Sequence, residues 1–383
     1  MNEAPKPDLG IYYEMLRSLP PKQPSLSFLS KEWGDVDAWR TEARRRLSEQ
    51  MNFAPDSTPL NSSTDSKRTE DGMVIENISY DMPYGPRTRG YFIYPEGREK
   101  LAGVAALHDH GGFFYYGKEK IVETGIRSPL LDEFKSKHYG GRSWATELAK
   151  RGFAVLAVDS FMWGSRRIPL ESMNPAHAEP FRGLREGSDE FIRAYNHYWD
   201  STEAGLTMST VLCAGTTWPG IVLYEDRRSV DYLVSRPEVD AGRIGCGGLS
   251  GGALRSAFLT GMDPRIKAGF CVGWMSTLGS MLRNHIQGHD VIMYVPHLLE
   301  MLDIPDVMAL HAPLPLLSMY DREDGLFSLE GQTEAHNKIG SIYEKMGYPK
   351  NYEGKFYPGP HKFDVQMQED AFEWLREKLK PLP

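Results

Sequence analysis

Ser250 stands in Gly248-Leu249-Ser250-Gly251-Gly252, directly after the strand-like run Arg243-Ile244-Gly245-Cys246-Gly247. This is the G-x-S-x-G pattern of a nucleophile elbow, in the strand-to-helix setting that the chemistry needs. A serine at such a turn has a strained backbone. A side chain two residues to either side would collide with the neighbouring strand or helix, hence the glycines. The turn lifts the hydroxyl above the sheet edge and aims the first amides of the next helix at the same point. A hydroxyl is a weak nucleophile alone, so a base and an orienting acid are required. His361 lies in Tyr357-Pro358-Gly359-Pro360-His361-Lys362-Phe363, between a short candidate strand and an amphipathic helix with Phe372, Trp374, Leu375 and Leu379 on its apolar side. A histidine in such a Gly/Pro loop can swing over a sheet edge; standing alone it would read as solvated surface. The acid is expected where the buried run Leu314-Pro315-Leu316-Leu317-Ser318-Met319-Tyr320 enters Asp321-Arg322-Glu323-Asp324-Gly325. Asp324 is the first candidate, because Gly325-Leu326-Phe327 can pack back under the loop. Asp321 is the runner-up, and Glu323 stands behind both.

Upstream, the apolar run Val104-Ala105-Ala106-Leu107 ends in His108-Asp109-His110-Gly111-Gly112-Phe113. Glycines there let the backbone approach a substrate oxygen, so Gly111 and Gly112 are candidates for the second oxyanion-hole amide, with Gly251 as the first. Each such donor is worth roughly 3–4 kcal/mol in acyl transfer. His108-Asp109-His110 also invites a metal reading. Adjacent strand residues point to opposite faces and no further ligand set lies nearby, so no metal and no cofactor is expected. His285 and His289 could share a helix face, but without an adjoining carboxylate motif they read as surface or pocket-rim residues.

With these residues in view the chain resembles the α/β-hydrolases, in particular the branch of dienelactone hydrolases and acetyl xylan esterase-like proteins. The resemblance rests on His108 to Lys120, Ala157 to Arg166, Asp226 to Ala253, Ala312 to Phe327 and His361 to Leu375. The chain order Ser250, Asp324, His361 is that of this superfamily and differs from chymotrypsin and subtilisin. It implies an α/β fold with a mainly parallel central sheet flanked by helices. Two departures stand out: Ser328 replaces the proline expected after the acid loop, and Asp321 replaces the glycine expected before the acid. The resemblance also places the Asp159 to Arg166 segment at the site floor, although an internal salt bridge or loop brace explains both charges more simply.

The chain has 383 residues, 40% hydrophobic and 25% charged, an ordinary globular composition. Its net charge of -8 provides no basic footprint for nucleic acid and no attraction to an anionic membrane. No apolar run approaches a membrane span, and Met1-Asn2-Glu3-Ala4-Pro5 lacks the basic and apolar regions of a leader. Cys213, Cys246 and Cys271 are odd in number and lack ligand spacing, with Cys246 and Cys271 in expected strands. A cytoplasmic setting is expected, and a homo-oligomer is left open.

Three parts are expected. Residues 1–70 form an N-terminal helical appendage, in which Asp35 caps a helix with Val36, Trp39, Ala43 and Leu47 at helical spacing, and the polar loop Asn61-Ser62-Ser63-Thr64-Asp65-Ser66 closes the segment. The appendage either packs on the main domain or serves as a pocket wall or dimer contact. Residues 71–383 form the hydrolase domain, with strands at Met73 to Tyr80, Gly90 to Tyr94, Val104 to Leu107, Ala154 to Val158, Ile244 to Gly247, Ala268 to Val272 and Leu314 to Met319. The first two should form an antiparallel hairpin at a sheet edge. A lid-like insertion spans about 168–219, and its aromatics Phe181, Phe191, Tyr195, Tyr198 and Trp199 either line an acyl or aryl pocket or pin the insertion to the core. Met275, Met281, Met293, Tyr294 and Met301, in the stretch from Trp274 to Val307, suit an adaptable pocket or a core equally.

The expected function is a serine carboxylesterase acting on a small-molecule ester, such as an acetylated carbohydrate, through an acyl-enzyme on Ser250. A lactone, aryl-ester or C–C bond hydrolase would use the same machinery. A prolyl-oligopeptidase-type peptidase shares the Gly-Gly ending of the elbow, but the propeller-length domain and paired glutamates of that type are missing. A degenerate binding protein would have lost the serine, the acid or the histidine, and all are present.

Overall fold

The alternation of short apolar runs with longer amphipathic ones becomes, in the computed structural model, a nine-stranded sheet covered by helices on both faces. The structure describes residues 6–289 and 291–380; residues 1–5, read above for a leader, lie outside the described residues. The strands are β1 (Ser63–Glu70), β2 (Met73–Tyr80), β3 (Thr88–Pro95), β4 (Leu101–Leu107), β5 (Ala154–Val158), β6 (Val239–Leu249), β7 (Ile266–Val272), β8 (Leu316–Asp321) and β9 (Tyr352–Tyr357). Their order is β1-β2-β3-β5-β4-β6-β7-β8-β9. The strands from β5 to β9 in that order run parallel, while β1, β2 and β3 join by antiparallel pairing.

Side chains on the central strands divide between two cores with the period of a strand. Val104 and Ala106 of β4 and Val155 and Ala157 of β5 pack with Trp144, Leu148, Trp374 and Leu375, from the helices Trp144–Lys150 and Val365–Lys378. Ala105, Leu107 and Leu156 face the other core, under the helices Trp218–Ser235, Gly251–Met262 and Leu329–Lys345. Burial on both sides explains why these strands read as unbroken apolar runs. Leaving β4, the chain crosses first to β5 on one side and later to β6 on the other. That reversal opens a crevice above the carboxyl ends of the strands, where ligands of open α/β sheets bind.

One expectation is corrected. The expected polar loop at 61–66 gives way to β1, which pairs with β2 from Ser63–Ser79 to Glu70–Met73 and forms the sheet edge in place of the β2–β3 hairpin. Its side chains are almost all exposed, so no apolar alternation marked it, and its charges protect the edge from foreign strands. Of the readings left open for the appendage, the described residues show the packed helix. This helix, Val36–Met51, capped by Asp35, buries Trp39, Ala43, Leu47 and Met51 against the main domain, and Arg44 Nε donates to the Gly261 carbonyl at 2.7 Å. Ahead of it, Leu9, Ile11, Tyr12 and Met15 are exposed.

The insertion folds as short turns, a helix over Asp189–Thr202 and a π-helical turn over Glu203–Met208. Phe181, Phe191, Tyr195 and Trp199 are buried in the core, and Tyr195 Oη donates to the Ile168 carbonyl at 2.9 Å. The aromatics therefore anchor the insertion. Met275, Met281, Met293 and Met301 are likewise core residues. No single helix among the described residues is long and apolar enough to cross a membrane.

Trp39 packs against Phe28 in a tilted pair with ring centroids 4.7 Å apart and donates from Nε1 to the Leu26 carbonyl at 2.8 Å. Trp39→Ala should lower unfolding stability by about 3–5 kcal/mol, measured by guanidinium denaturation. A loss well under 1 kcal/mol would show that the appendage contributes little to the domain.

Candidate active site

Between β6 and the helix Gly251–Met262, Ser250 adopts φ 56° and ψ -124°. A non-glycine residue there costs of order 1–3 kcal/mol, and the surrounding structure must enforce it. The Ser250 amide donates to the Val272 carbonyl at 2.9 Å, and its own carbonyl accepts from Ala253 at 2.8 Å and Leu254 at 3.0 Å. The glycines two residues away on either side are a packing requirement. A Cβ on Gly248 or on Gly252 would sit 2.2 Å from the Leu107 carbonyl oxygen at the end of β4. Gly251 opens the helix, and its amide is one of the first-turn donors that no helical carbonyl can satisfy.

His361 leaves the loop after β9 and donates from Nδ1 to Asp324 Oδ2 at 2.6 Å. Asp324 is buried, and its Oδ1 accepts the Leu326 amide at 2.9 Å, so the turn through Gly325-Leu326-Phe327 does fold back beneath it. Burial pulls the imidazole pKa of His361 down, but the hydrogen bond and charge of Asp324 and the charges of Asp321 and Asp109 outweigh it and hold it above the ordinary 6.5. His361 Nε2 is buried and has no hydrogen-bond partner. Asp321 turns elsewhere: its Oδ2 accepts the Lys362 amide at 3.1 Å, and burial pushes its pKa up to about 7. Glu323 accepts the Gly359 amide at the surface.

The loop after β4 is held by buried cations that sequence inspection passed over. Arg255, paired with Asp226, donates to the His108 carbonyl at 3.1 Å. Lys120, fully buried, donates to the carbonyls of Asp109 and His110. In a trans peptide the N–H points opposite to the C=O, so the amides that follow, including that of Gly111, turn away from Lys120. Gly111 and Gly112 both have positive φ, 60° and 62°. The Gly112 amide donates to His110 Nδ1 at 3.0 Å, so this member of the candidate pair is already engaged.

The metal reading of this loop finds the imidazoles committed to other partners. His108 Nδ1 meets the Asp109 carbonyl at 2.9 Å and Nε2 the Ser160 amide at 3.3 Å, and burial holds its pKa well below 6.5. His110 Nε2 lies 3.0 Å from both carboxylate oxygens of Glu203. Asp321, Asp324 and His361 do bring possible ligand atoms within 4.8 Å of one another. Asp159 is a brace: Lys118 Nζ at 2.5 Å and the Ser165 hydroxyl at 2.7 Å engage it, while Arg166 pairs with Glu225 at 2.6 Å.

Ser250, His361, Gly111 and Gly112 open on one cavity of about 540 Å³. Its wall also carries Lys137, His138, Asp200, Glu203, Gln287, His289 and Tyr294, and among the described residues its lining begins at Asp109. His285 and His289 share no helix; His289 lines the cavity and binds the Leu326 carbonyl at 2.8 Å. Asp200, Glu203 and Ala204 come from the insertion. The i, i+3 spacing of Asp200 and Glu203 was the signal that could have found this polar face.

Lys120→Met should slow covalent modification of Ser250 by a fluorophosphonate about 10²-fold, because the donor loop loses its clamp. Rates equal to those of the unmodified protein, with the far-ultraviolet spectrum retained, would show that the loop holds its shape without Lys120.

No family profile matches the chain. It is 24% identical over 344 residues to YtaP of Bacillus subtilis strain 168, whose name assigns it to the hydrolases, and the match takes in 89% of this chain and 100% of that protein. Among solved structures it is similar to one from Bacteroides fragilis described as an acetyl xylan esterase, with a TM-score of 0.68, 18% identity and coverage of 91% and 82% of the two chains. A glucuronoyl esterase from Solibacter usitatus aligns with a TM-score of 0.61 and 13% identity, over 95% of this chain and 100% of that one. The strand order, the elbow and these likenesses agree: the chain has the α/β-hydrolase fold.

Proposed function

We propose that this protein is a serine carboxylesterase that removes a short acyl group, such as acetyl, from a carbohydrate or a similarly polar alcohol. The observation that carries the reading is the shared cavity: Ser250 on its strained elbow and His361, whose Nε2 has no partner, line one space, with Asp324 behind the imidazole. In the proposed reaction, Ser250 Oγ attacks the ester carbonyl while His361 Nε2 takes its proton. Asp324 holds the imidazole in the tautomer that leaves Nε2 basic and stabilises the imidazolium. The amides of Gly251 and Gly111 receive the negative charge of the tetrahedral intermediate. Collapse expels the alcohol, which takes the proton from His361. Water, deprotonated by the same histidine, then releases the acid and restores Ser250.

The polar wall supports a hydroxyl-rich leaving group. Lys137, Asp200, Gln287 and Tyr294 offer donors and acceptors around the cavity, where a lipase would present an apolar groove. The acetyl xylan esterase description of one structural neighbour points in the same direction, whereas the glucuronoyl esterase description of another puts a sugar on the acyl side.

A fluorophosphonate should add its mass to the peptide carrying Ser250, and Ser250→Ala should abolish labelling; adduct on another serine would overturn the assignment. Because His361 accepts a proton only when neutral and its pKa is held above 6.5, kcat/KM should fall with acid through a limb centred above that value. A limb centred near 4 would point to a carboxylate base instead. In a p-nitrophenyl ester series, acetate or propionate should exceed octanoate, since methylene discrimination in a closed pocket runs at about 1–3 kcal/mol. A maximum at octanoate would replace the acetyl-ester reading with a lipase-like or aryl-ester one.

A further inference from the structure

The turn after β8 carries one buried carboxyl more than a serine–histidine–acid relay requires. Asp321 is fully buried, its Oδ2 takes the Lys362 amide, and its Oδ1 has no partner. An unsatisfied buried oxygen is costly, and the glycine that the resemblance leads one to expect at this position would avoid it. The carboxyl also lies close to the relay. An oxygen of Asp321, an oxygen of Asp324 and a ring nitrogen of His361 are all within 4.8 Å of one another. At that separation the charge of one group alters the proton affinity of the next.

Among the described residues, His361 and Asp324 adjoin Asp321, Lys362 follows on the same loop and Tyr357 ends the neighbouring strand, while Asp109, His138 and His289 face His361 from other elements. Lys362 Nζ is itself held by Asp364 at 2.6 Å, and Arg322 lies over the Phe356 ring at 5.2 Å. Burial is the largest influence on Asp321 and opposes its ionisation, as does Asp324; the Lys362 amide and the charges of His361 and Lys362 favour it.

We propose that Asp321 is a positioning residue for the base: a second carboxyl coupled through space to the Asp324–His361 pair, whose own ionisation sets how firmly His361 holds a proton. With Asp321 protonated, the imidazolium faces the charges of Asp324 and Asp109. With Asp321 ionised it faces one more, and its proton is held more tightly. The two groups then titrate as a coupled pair over a broad range rather than as independent sites. The catalytic consequence rests on His361 being the general base; the coupling itself does not.

The sign of the effect follows. Asp321→Asn removes a charge that raises the His361 pKa, so the acid limb of kcat/KM should move to lower pH, by about 1 unit. Asp324→Asn should lower turnover by about 10³–10⁴-fold, and Asp324→Asn/Asp321→Asn should be lower again by at least about tenfold. A limb that stays in place in Asp321→Asn, or a double variant no slower than Asp324→Asn, would reduce Asp321 to a loop support. The unmodified protein supplies a test independent of variant folding and of catalysis. The imidazole nitrogen resonances of His361, assigned by comparison with His361→Gln, should titrate in two steps, and a single step would overturn the coupling. Absence of Ser250 labelling would instead remove the esterase reading and leave this titration to be judged by itself.

Discussion

The carbonyl oxygen of Leu107 lies so close to the end of β6 and the start of the following helix that neither Gly248 nor Gly252 has room for a Cβ. This contact ties the last peptide of β4 to the elbow that carries Ser250. It also sets the distance between the serine and the loop 108–112, which supplies the proposed second oxyanion amide. Were β4 and the elbow to separate by the width of a methyl group, the donors and the nucleophile would no longer address one atom. Precision on that scale separates a preorganised site from a cleft that merely contains the right groups. The positive φ of Ser250 is tolerated because the two strands and the helix leave it no other conformation.

Around this contact lies a layer of buried charge. Arg255 with Asp226, Lys120 with Asp109, Lys118 with Asp159 and Arg166 with Glu225 are all removed from solvent. Desolvation makes such pairs poor sources of net stability, and breaking one partner is far more damaging than the pair is favourable. Their value here is geometric. The carbonyls of His108, Asp109 and His110 each have a fixed cation, which leaves a glycine-rich loop with a defined backbone despite two positive-φ residues in succession. A loop of this composition without those anchors would sample many conformations.

The insertion shows the same division between scaffold and chemistry. Phe191, Tyr195 and Trp199 bind its helix to the core, and Glu203, at the start of the π-helical turn that follows, meets His110. π-Turns in otherwise regular helices mark places where side-chain placement takes precedence over regular hydrogen bonding. The helix thus presents aromatic anchors to the protein and carboxylates to the cavity.

Ser250, the glycines that flank it and the order of serine, acid and histidine were legible in the sequence, because strand, tight turn and helix are encoded by residues adjacent along the chain. Asp324 could be ranked above Asp321 for a similarly local reason, the Gly325-Leu326-Phe327 turn that folds beneath it. The inner strands β4, β5 and β7 were visible as apolar runs, since burial on both faces leaves few polar positions, whereas the half-buried β9 carries Glu353 and Lys355. β1 was not visible: its side chains face water, and only backbone pairing with β2 makes it a strand. Nor could the sequence separate Gly111 from Gly112, because which amide is engaged depends on the direction in which the His110 ring points. Lys120, Arg255 and Glu203 were hidden for the same reason. A charged residue reads as solvated surface until the tertiary structure buries it, and Arg255 meets the His108 carbonyl across 147 residues of chain. Asp321 was noticed as a departure, but its closeness to His361 exists only where β8 and β9 lie side by side. Local backbone geometry is written in neighbouring residues, whereas the partner of a buried polar group is decided by which distant segments the packed core brings together.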